Sequence, residues 1–132
     1  FHDARQAGHQ EVVVWGSGRP RREFLHVDDL ADAAVFLMNG YADMAHINVG
    51  TGEDLTIEAL ARLVGSVVHP AARIVFDATK PDGAPRKLLD VSRLHALGWR
   101  HRIGLDEGIA RTYEWFLEHQ ADARGLVSAP PR

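Results

Sequence analysis

The run Trp15-Gly16-Ser17-Gly18-Arg19-Pro20-Arg21-Arg22 sets three guanidiniums beside two glycines and an indole. Glycines let a ligand approach the backbone closely, and several arginines together can clamp an anion. Each charge-assisted hydrogen bond contributes roughly 1.5–3 kcal/mol. Two of them on one diphosphate would supply a large share of micromolar affinity, about 8 kcal/mol. Trp15 would offer a flat face to a sugar or base. The plainer alternative is a solvated hairpin tip with Trp15 anchored in the core, and local features alone tilt slightly that way.

Lys80-Pro81-Asp82-Gly83-Ala84-Pro85-Arg86-Lys87 is the second cationic stretch, and it holds both lysines of the chain. Its prolines stiffen the loop and lower the entropy lost on binding. Most charged loops are simply solvated. His26-Val27-Asp28-Asp29 could suit acid–base or metal chemistry, yet helix capping and the helix dipole account for both aspartates. Gly50-Thr51-Gly52 lacks the Gly-x-Gly-x-x-Gly and Gly-Lys-Ser/Thr fingerprints of phosphate loops and reads as a tight connection. The 8 histidines form no HxH or HExxH pattern. Neither Tyr41 nor Tyr113 has a lysine four residues on. No catalytic set and no metal set is expected, and physical reading stops at two cationic loops suited to a diphosphate.

Composition narrows the setting. The chain has 132 residues, 45% hydrophobic and 25% charged, with a net charge of −3 and no cysteine. That length suits one domain, or a piece of a larger one, with a real core. A pI near 6.2 argues against nucleic-acid binding through bulk positive charge. No apolar run approaches the roughly 20 residues of a membrane span. Zero cysteines exclude disulfides, thiolate nucleophiles and cysteine-held metals, and the simplest setting is the cytosol.

The elements that must position these loops alternate between strand and helix patterns, which implies an α/β domain. A polar, helix-compatible lead-in ends at Gln10. Val12–Trp15 and Arg22–Val27 read as two strands of a hairpin turning at Gly16–Pro20. Asp28 or Asp29 should cap a helix with Leu30, Ala33, Ala34, Leu37 and Met38 at helical spacing, closed by Asn39-Gly40. His46–Gly50 reads as a short strand. Thr56 should cap the next helix, whose stripe is Ile57, Leu60, Ala61, Val64 and Val67/Val68. Arg73–Asp77 reads as a strand, 92–97 as a short helix closed by Gly98, and Leu105 to about His119 as the last helix. Trp99, Trp115 and Phe116 fit core positions. Residues 126–132 read as a flexible tail behind a domain spanning 1–125.

The order Val-Val-Val-Trp15-Gly-Ser-Gly, Arg-Glu-Phe-Leu-His-Val-Asp-Asp-Leu-Ala and Asn-Val-Gly-Thr-Gly resembles the extended short-chain dehydrogenase/reductases that act on nucleotide sugars. The stretch Phe76–Trp99, with Lys80-Pro-Asp82-Gly-Ala-Pro-Arg86-Lys87-Leu-Leu-Asp90, is more specific and resembles the GDP-L-fucose synthase family. That likeness runs from about Phe1 to Gly125. It implies the substrate-binding lobe, plus the terminal strands and helices, of a carboxyl-terminal portion of an NAD(P)-binding Rossmann-type fold. The family's reaction is 3,5-epimerisation and NADPH-dependent 4-reduction of GDP-4-keto-6-deoxy-D-mannose.

By resemblance, Trp15, Arg22, Asp82 and Lys87 match substrate-binding positions: Arg22 on the diphosphate, Trp15 on the nucleoside side, Asp82 accepting from hydroxyls or the guanine edge. Arg86 would join Lys87 in adding positive potential. The family's glycine-rich NADP loop, its Ser and Tyr-x-x-x-Lys, and its Cys and His for epimerisation have no counterpart here. The resemblance therefore implies a chain that is inactive alone and holds no NADPH alone. It also implies self-association or a complementary amino-terminal half, through faces such as Leu30–Met38 and His46–Gly50. The alternatives are a portion of another nucleotide-sugar epimerase or dehydratase, or a non-catalytic module binding a nucleotide sugar or a protein.

Overall fold

The computed structural model describes residues 1–120, so the expected tail at 126–132 lies outside the described residues. In chain order the elements are α1 (His2–Gln6), β1 (Glu11–Trp15), β2 (Arg21–Arg22), α2 (Val27–Gly40) and β3 (Leu55–Thr56), followed by α3 (Ile57–Val68), β4 (Arg73–Asp77), β5 (Arg86–Lys87), α4 (Ser92–Ala96) and α5 (Leu105–His119). The α/β expectation holds. Thr56 caps α3 as its sequence position implies, its hydroxyl accepting from the Ala59 amide at 3.1 Å. β4 and α5 fall where periodicity puts them.

The strand pairing differs from the expected hairpin. β1 pairs in parallel with β4, from Glu11↔Arg73 to Trp15↔Asp77, and an ion pair joins Glu11 to Arg73 at the first rung. β2 lies in a separate three-stranded sheet, antiparallel to β3 and parallel to β5. The glycine–proline turn after Trp15 thus passes the chain from one sheet to another rather than folding it back on itself. Of the expected strand 22–27, only its start is a strand, and Val27 already opens α2. Nor is 46–50 a strand: the His46 carbonyl accepts from the Arg93 guanidinium, and the segment has no ladder partner among the described residues.

The aspartates of α2 also take other roles. His26 is the N-cap, its Nδ1 accepting from the Asp28 amide at 3.2 Å. Asp29 is buried instead, accepting from the backbone N–H groups of Arg102 and Ile103, which ties the segment before α5 to the start of α2. A buried carboxylate needs such donors to offset its lost hydration.

The core gathers around Ala33, Leu94 and Trp99, with Leu25, Phe36, Leu37, Ile47 and Val49 packed against it. The Trp99 indole N–H donates to Asp32 at 2.8 Å, so even its polar atom is satisfied. Trp115 departs from the expected core position: it is 54% exposed and stacks on His119. The stripe of α5 that turns inward carries Tyr113 and Phe116, against His2. Val27, Leu30, Val35 and Met38 leave α2 with much exposed apolar surface.

Candidate functional site

β2 and β5 carry four consecutive-pair cations, and strand geometry sorts them. Side chains alternate between faces along a strand, so register partners on adjacent strands share a face. Arg21 is the partner of Arg86, and Arg22 the partner of Lys87. On the Arg21 face sits Asp54, its side chain only 3% exposed. Its Oδ1 accepts from Arg21 at 2.7–2.8 Å and its Oδ2 from the Arg86 Nε at 2.5 Å. Hydrogen bonds from Arg21 first and Arg86 second hold the Asp54 carboxyl below its ordinary range, so it stays ionised.

The opposite face is different in kind. Arg22 and Lys87 share it, and neither forms an ion pair among the described residues. One Arg22 nitrogen braces the loop, donating to the Arg21 and Ala84 carbonyls at 2.6 and 2.7 Å. The sequence-derived set is therefore divided. Arg22 and Lys87 come together as register partners, while Arg86 is turned away and shares the Asp54 carboxylate with Arg21.

Trp15 ends β1 and is 74% exposed, so it is no core anchor. The Lys80 ammonium lies over its ring, 5.5 Å from the centroid. Asp82 joins the two loops: its oxygens accept from the Ser17 amide at 2.8 Å and the Ser17 hydroxyl at 2.6 Å. Those hydrogen bonds, with a smaller pull from Arg19, keep the Asp82 carboxyl below its ordinary range. Gly16 is required beside it. Its φ is +92°, and a Cβ there would stand 2.5 Å from the Asp82 Oδ1. Trp15, Arg22 and Asp82 line one small cleft of about 90 Å³, together with Gly18, Pro20, Ile57, Pro81 and Gly83.

A larger groove of about 550 Å³ runs between α3 and α5, past Phe24, Val64, Val68, Ile109 and Phe116. It shares no lining residue with the cleft, contains no lysine or arginine, and is lined mostly by apolar side chains. The small cleft is the cavity that gathers Trp15, Arg22 and Asp82. Among the described residues no group of three or more His, Asp or Glu side chains is arranged to hold a metal ion.

Sequence reasoning missed two carboxylates. Asp54 is one. Glu23 is the other: its Oε1 accepts from the Gly52 amide at 2.6 Å and its Oε2 from the Leu89 amide at 3.0 Å. Glu23 thus fills the Gly50–Gly52 turn with an internal anion, and a Cβ on Gly50 would stand 2.4 Å from it. No local signal marks either, because their partners lie 29–66 residues away in the chain.

This geometry sets the Arg22 guanidinium in a cleft with an exposed indole and a fixed acceptor, and gives it Lys87 as register partner on the same face. A family model for the NAD dependent epimerase/dehydratase family matches residues 1–50. GDP-L-fucose synthase of Escherichia coli K12 is 54% identical over 134 residues, 95% of this chain and 42% of that protein. GDP-L-fucose synthase 1 of Arabidopsis thaliana is 52% identical over 119 residues, 90% of this chain and 37% of that one. The crystal structure of a GDP-L-fucose synthetase from Naegleria fowleri bound to NADP superposes with a TM-score of 0.86 at 28% identity, covering 92% of this chain and 39% of that chain. The chain spans about two fifths of the length of the curated relatives it matches. Its structural neighbours are Rossmann-type extended short-chain dehydrogenase/reductases. Over most of its length the chain is homologous to the GDP-L-fucose synthases, and its first 50 residues match the NAD dependent epimerase/dehydratase model.

Proposed function

We propose that this chain forms the GDP-sugar-binding part of a GDP-L-fucose synthase, the enzyme that epimerises and reduces GDP-4-keto-6-deoxy-D-mannose. The observation that carries the proposal is the placement of Arg22 and Lys87 as register partners on one face, with Trp15 and Asp82 at the same cleft as Arg22. Arg22 offers a planar fork of donors to the diphosphate, and Lys87 a point charge beside it. Trp15 packs on the nucleoside side. Asp82 is already oriented by Ser17 and has acceptor capacity left for a hydroxyl or the guanine edge. Arg86 contributes through Asp54 rather than by direct contact.

Chemistry needs more than this site supplies: the Ser17 hydroxyl donates to Asp82, but a carboxyl held below its ordinary range is a weak base. The hydride comes from NADPH in the family's reaction. The turn at 50–52 does not fit a dinucleotide phosphate, because Glu23 already places a carboxylate on its amide. The cofactor and the reacting groups belong, on this reading, to the part of the longer relatives that this chain does not span. The exposed apolar side chains of α2 would then meet that complementary part or a second copy, in the cytosol. No helix among the described residues is long and apolar enough to cross a membrane.

The test is a titration of the chain with GDP, followed by tryptophan fluorescence, with UDP and dTDP as comparators. Of the three tryptophans only Trp15 lines the cleft, so a Trp15→Phe variant should remove most of the response. Preference for GDP, lost in Arg22→Ala, is the expected result. Equal weak binding of all three nucleotides, unchanged by Arg22→Ala, would overturn the proposal. Addition of NADPH and the 4-keto sugar to the isolated chain should give no turnover, and light scattering should show a species larger than the monomer.

A further inference from the structure

Two strands of two residues each make a poor platform for aligning a pair of ligand contacts. A parallel pair this short offers few ladder hydrogen bonds, and parallel pairing is slightly less stable per residue than antiparallel pairing. Its sequence makes matters worse. Arg21 stands directly opposite Arg86, and like charges opposed across strands destabilise pairing. Some anion must lie between them for β2 and β5 to sit in this register.

Asp54 is that anion. One carboxylate oxygen serves each strand: Oδ1 accepts from Arg21 of β2, Oδ2 from Arg86 of β5. Arg21 also donates to the Asp54 backbone carbonyl at 2.9 Å, so the bridge fixes main chain as well as side chain. Asp54 directly precedes β3, the other neighbour of β2, and therefore senses all three strands of the sheet. Its side chain is almost wholly screened from solvent, while Arg21 and Arg86 keep 44% and 60% exposure. The negative charge is consequently committed to the two arginines.

We propose that Asp54 is a positioning residue for nucleotide binding: by bridging Arg21 and Arg86 on one face of the sheet, it sets Arg22 beside Lys87 on the other. This rests on the reading of Arg22 and Lys87 as the diphosphate-binding pair. It makes a prediction opposite to that of simple electrostatics. Neutralising Asp54 raises the local positive charge by one, which alone should tighten the binding of an anion. Loss of register should instead weaken it, because the two cations would no longer converge.

The test compares the full chain with Asp54→Asn and Asp54→Glu in two measurements. Nuclear Overhauser contacts between residues 21–22 and 86–87 report the register, and a GDP titration reports the site. Asp54→Asn should lose those cross-strand contacts and weaken GDP binding at least tenfold, with the signals of Leu94 and Trp99 unchanged. Asp54→Glu, which keeps the charge, should restore most of both. If Asp54→Asn keeps the contacts, or binds GDP as well as or better than the parent, the proposal is overturned. If the parent chain fails to bind GDP while Asp54→Asn still loses the contacts, the nucleotide reading falls and the register role of Asp54 stands. Should Asp54→Asn not fold, Arg86→Gln breaks the same bridge from its exposed end. The same loss of contacts is expected there, and their retention would overturn the proposal.

Discussion

Arg22 and Lys87, far apart in the chain, are register partners on the adjacent parallel strands β2 and β5. Adjacent strands are spaced by roughly 4.8 Å, so two such side chains rise from the sheet side by side. On the reverse face the partners Arg21 and Arg86 share the one Asp54 carboxylate. The sheet thus has one face bridged by an ion pair and one whose two cations have no such partner among the described residues, and Arg22 of the latter lines the cleft with Trp15 and Asp82.

Replacing Arg22 by alanine should weaken GDP binding roughly 10- to 150-fold, the equivalent of one charge-assisted hydrogen bond of about 1.5–3 kcal/mol. Arg22→Lys should recover only part of it, because an ammonium cannot present two parallel donors to one phosphate. Isothermal titration with GDP checks both. Equal affinity of the lysine variant and the parent would show that charge alone matters at this position.

Much of this was legible in the sequence, and the parts that were not share a cause. β4, α3 and α5 are set by local signals: a run of branched apolar residues, the Thr56 cap, a helical stripe. Pairing is not local. The turn at 16–20 looks like a hairpin because its Gly and Pro content is that of a hairpin, yet β1 finds its partner in β4, beyond both α2 and α3. Trp15 could be read as core or as surface from its neighbours, and only the end of a two-stranded sheet exposes it. Trp115 follows the apolar residues of α5 closely enough in sequence to pass for core, but it projects outward. Asp54 and Glu23 escaped notice because what each carboxylate does depends on groups contributed by distant segments. The candidate residues themselves were legible through resemblance. What the sequence could not separate was Arg86 from Lys87, since one residue's difference in a strand reverses the face.

Gly16→Ala should destabilise the chain and uncouple the two loops. An alanine at a positive φ costs about 1–2 kcal/mol, and the added Cβ would collide with Asp82 at 2.5 Å. A domain of this size loses roughly 4 °C in Tm per kcal/mol, so a fall of about 4–8 °C is expected. Asp82 must also leave Ser17, so nucleotide affinity should drop with it. A thermal melt within about 1 °C of the parent would contradict the geometry.

Leu94→Ala tests the core that joins α4 to α2. Leu94 lies on α4, is fully buried, and packs with Ala33 and Trp99. Buried leucine truncations cost about 2–5 kcal/mol, depending on how far the cavity collapses. Urea denaturation should register that loss, and the Trp99 emission should shift to longer wavelength as water reaches it. A cost below about 1 kcal/mol would mean that Leu94 is not a member of the core.

Stability should fall as the medium is acidified, and the sign follows from three carboxylates. Asp54 is held below its ordinary value by Arg21 and Arg86, Asp82 by Ser17, and Asp90 by the Ser92 amide and hydroxyl. With the folded value below the unfolded one, near 3.8, the unfolded chain binds more protons as the pH drops through the interval between them. The unfolding free energy therefore rises with pH there. The contribution is complete above the unfolded value and disappears as the pH falls through the folded ones. Urea midpoints measured at pH 7, 5, 4 and 3 should hold near neutrality, so far as these three groups govern them, and decline below about pH 4. Asp82→Asn should start lower at neutral pH and show a shallower acid limb, because one of the three titrations has been removed. A midpoint that stays level or climbs between pH 5 and 3 would mean that these carboxylates are not stabilised by the partners assigned to them.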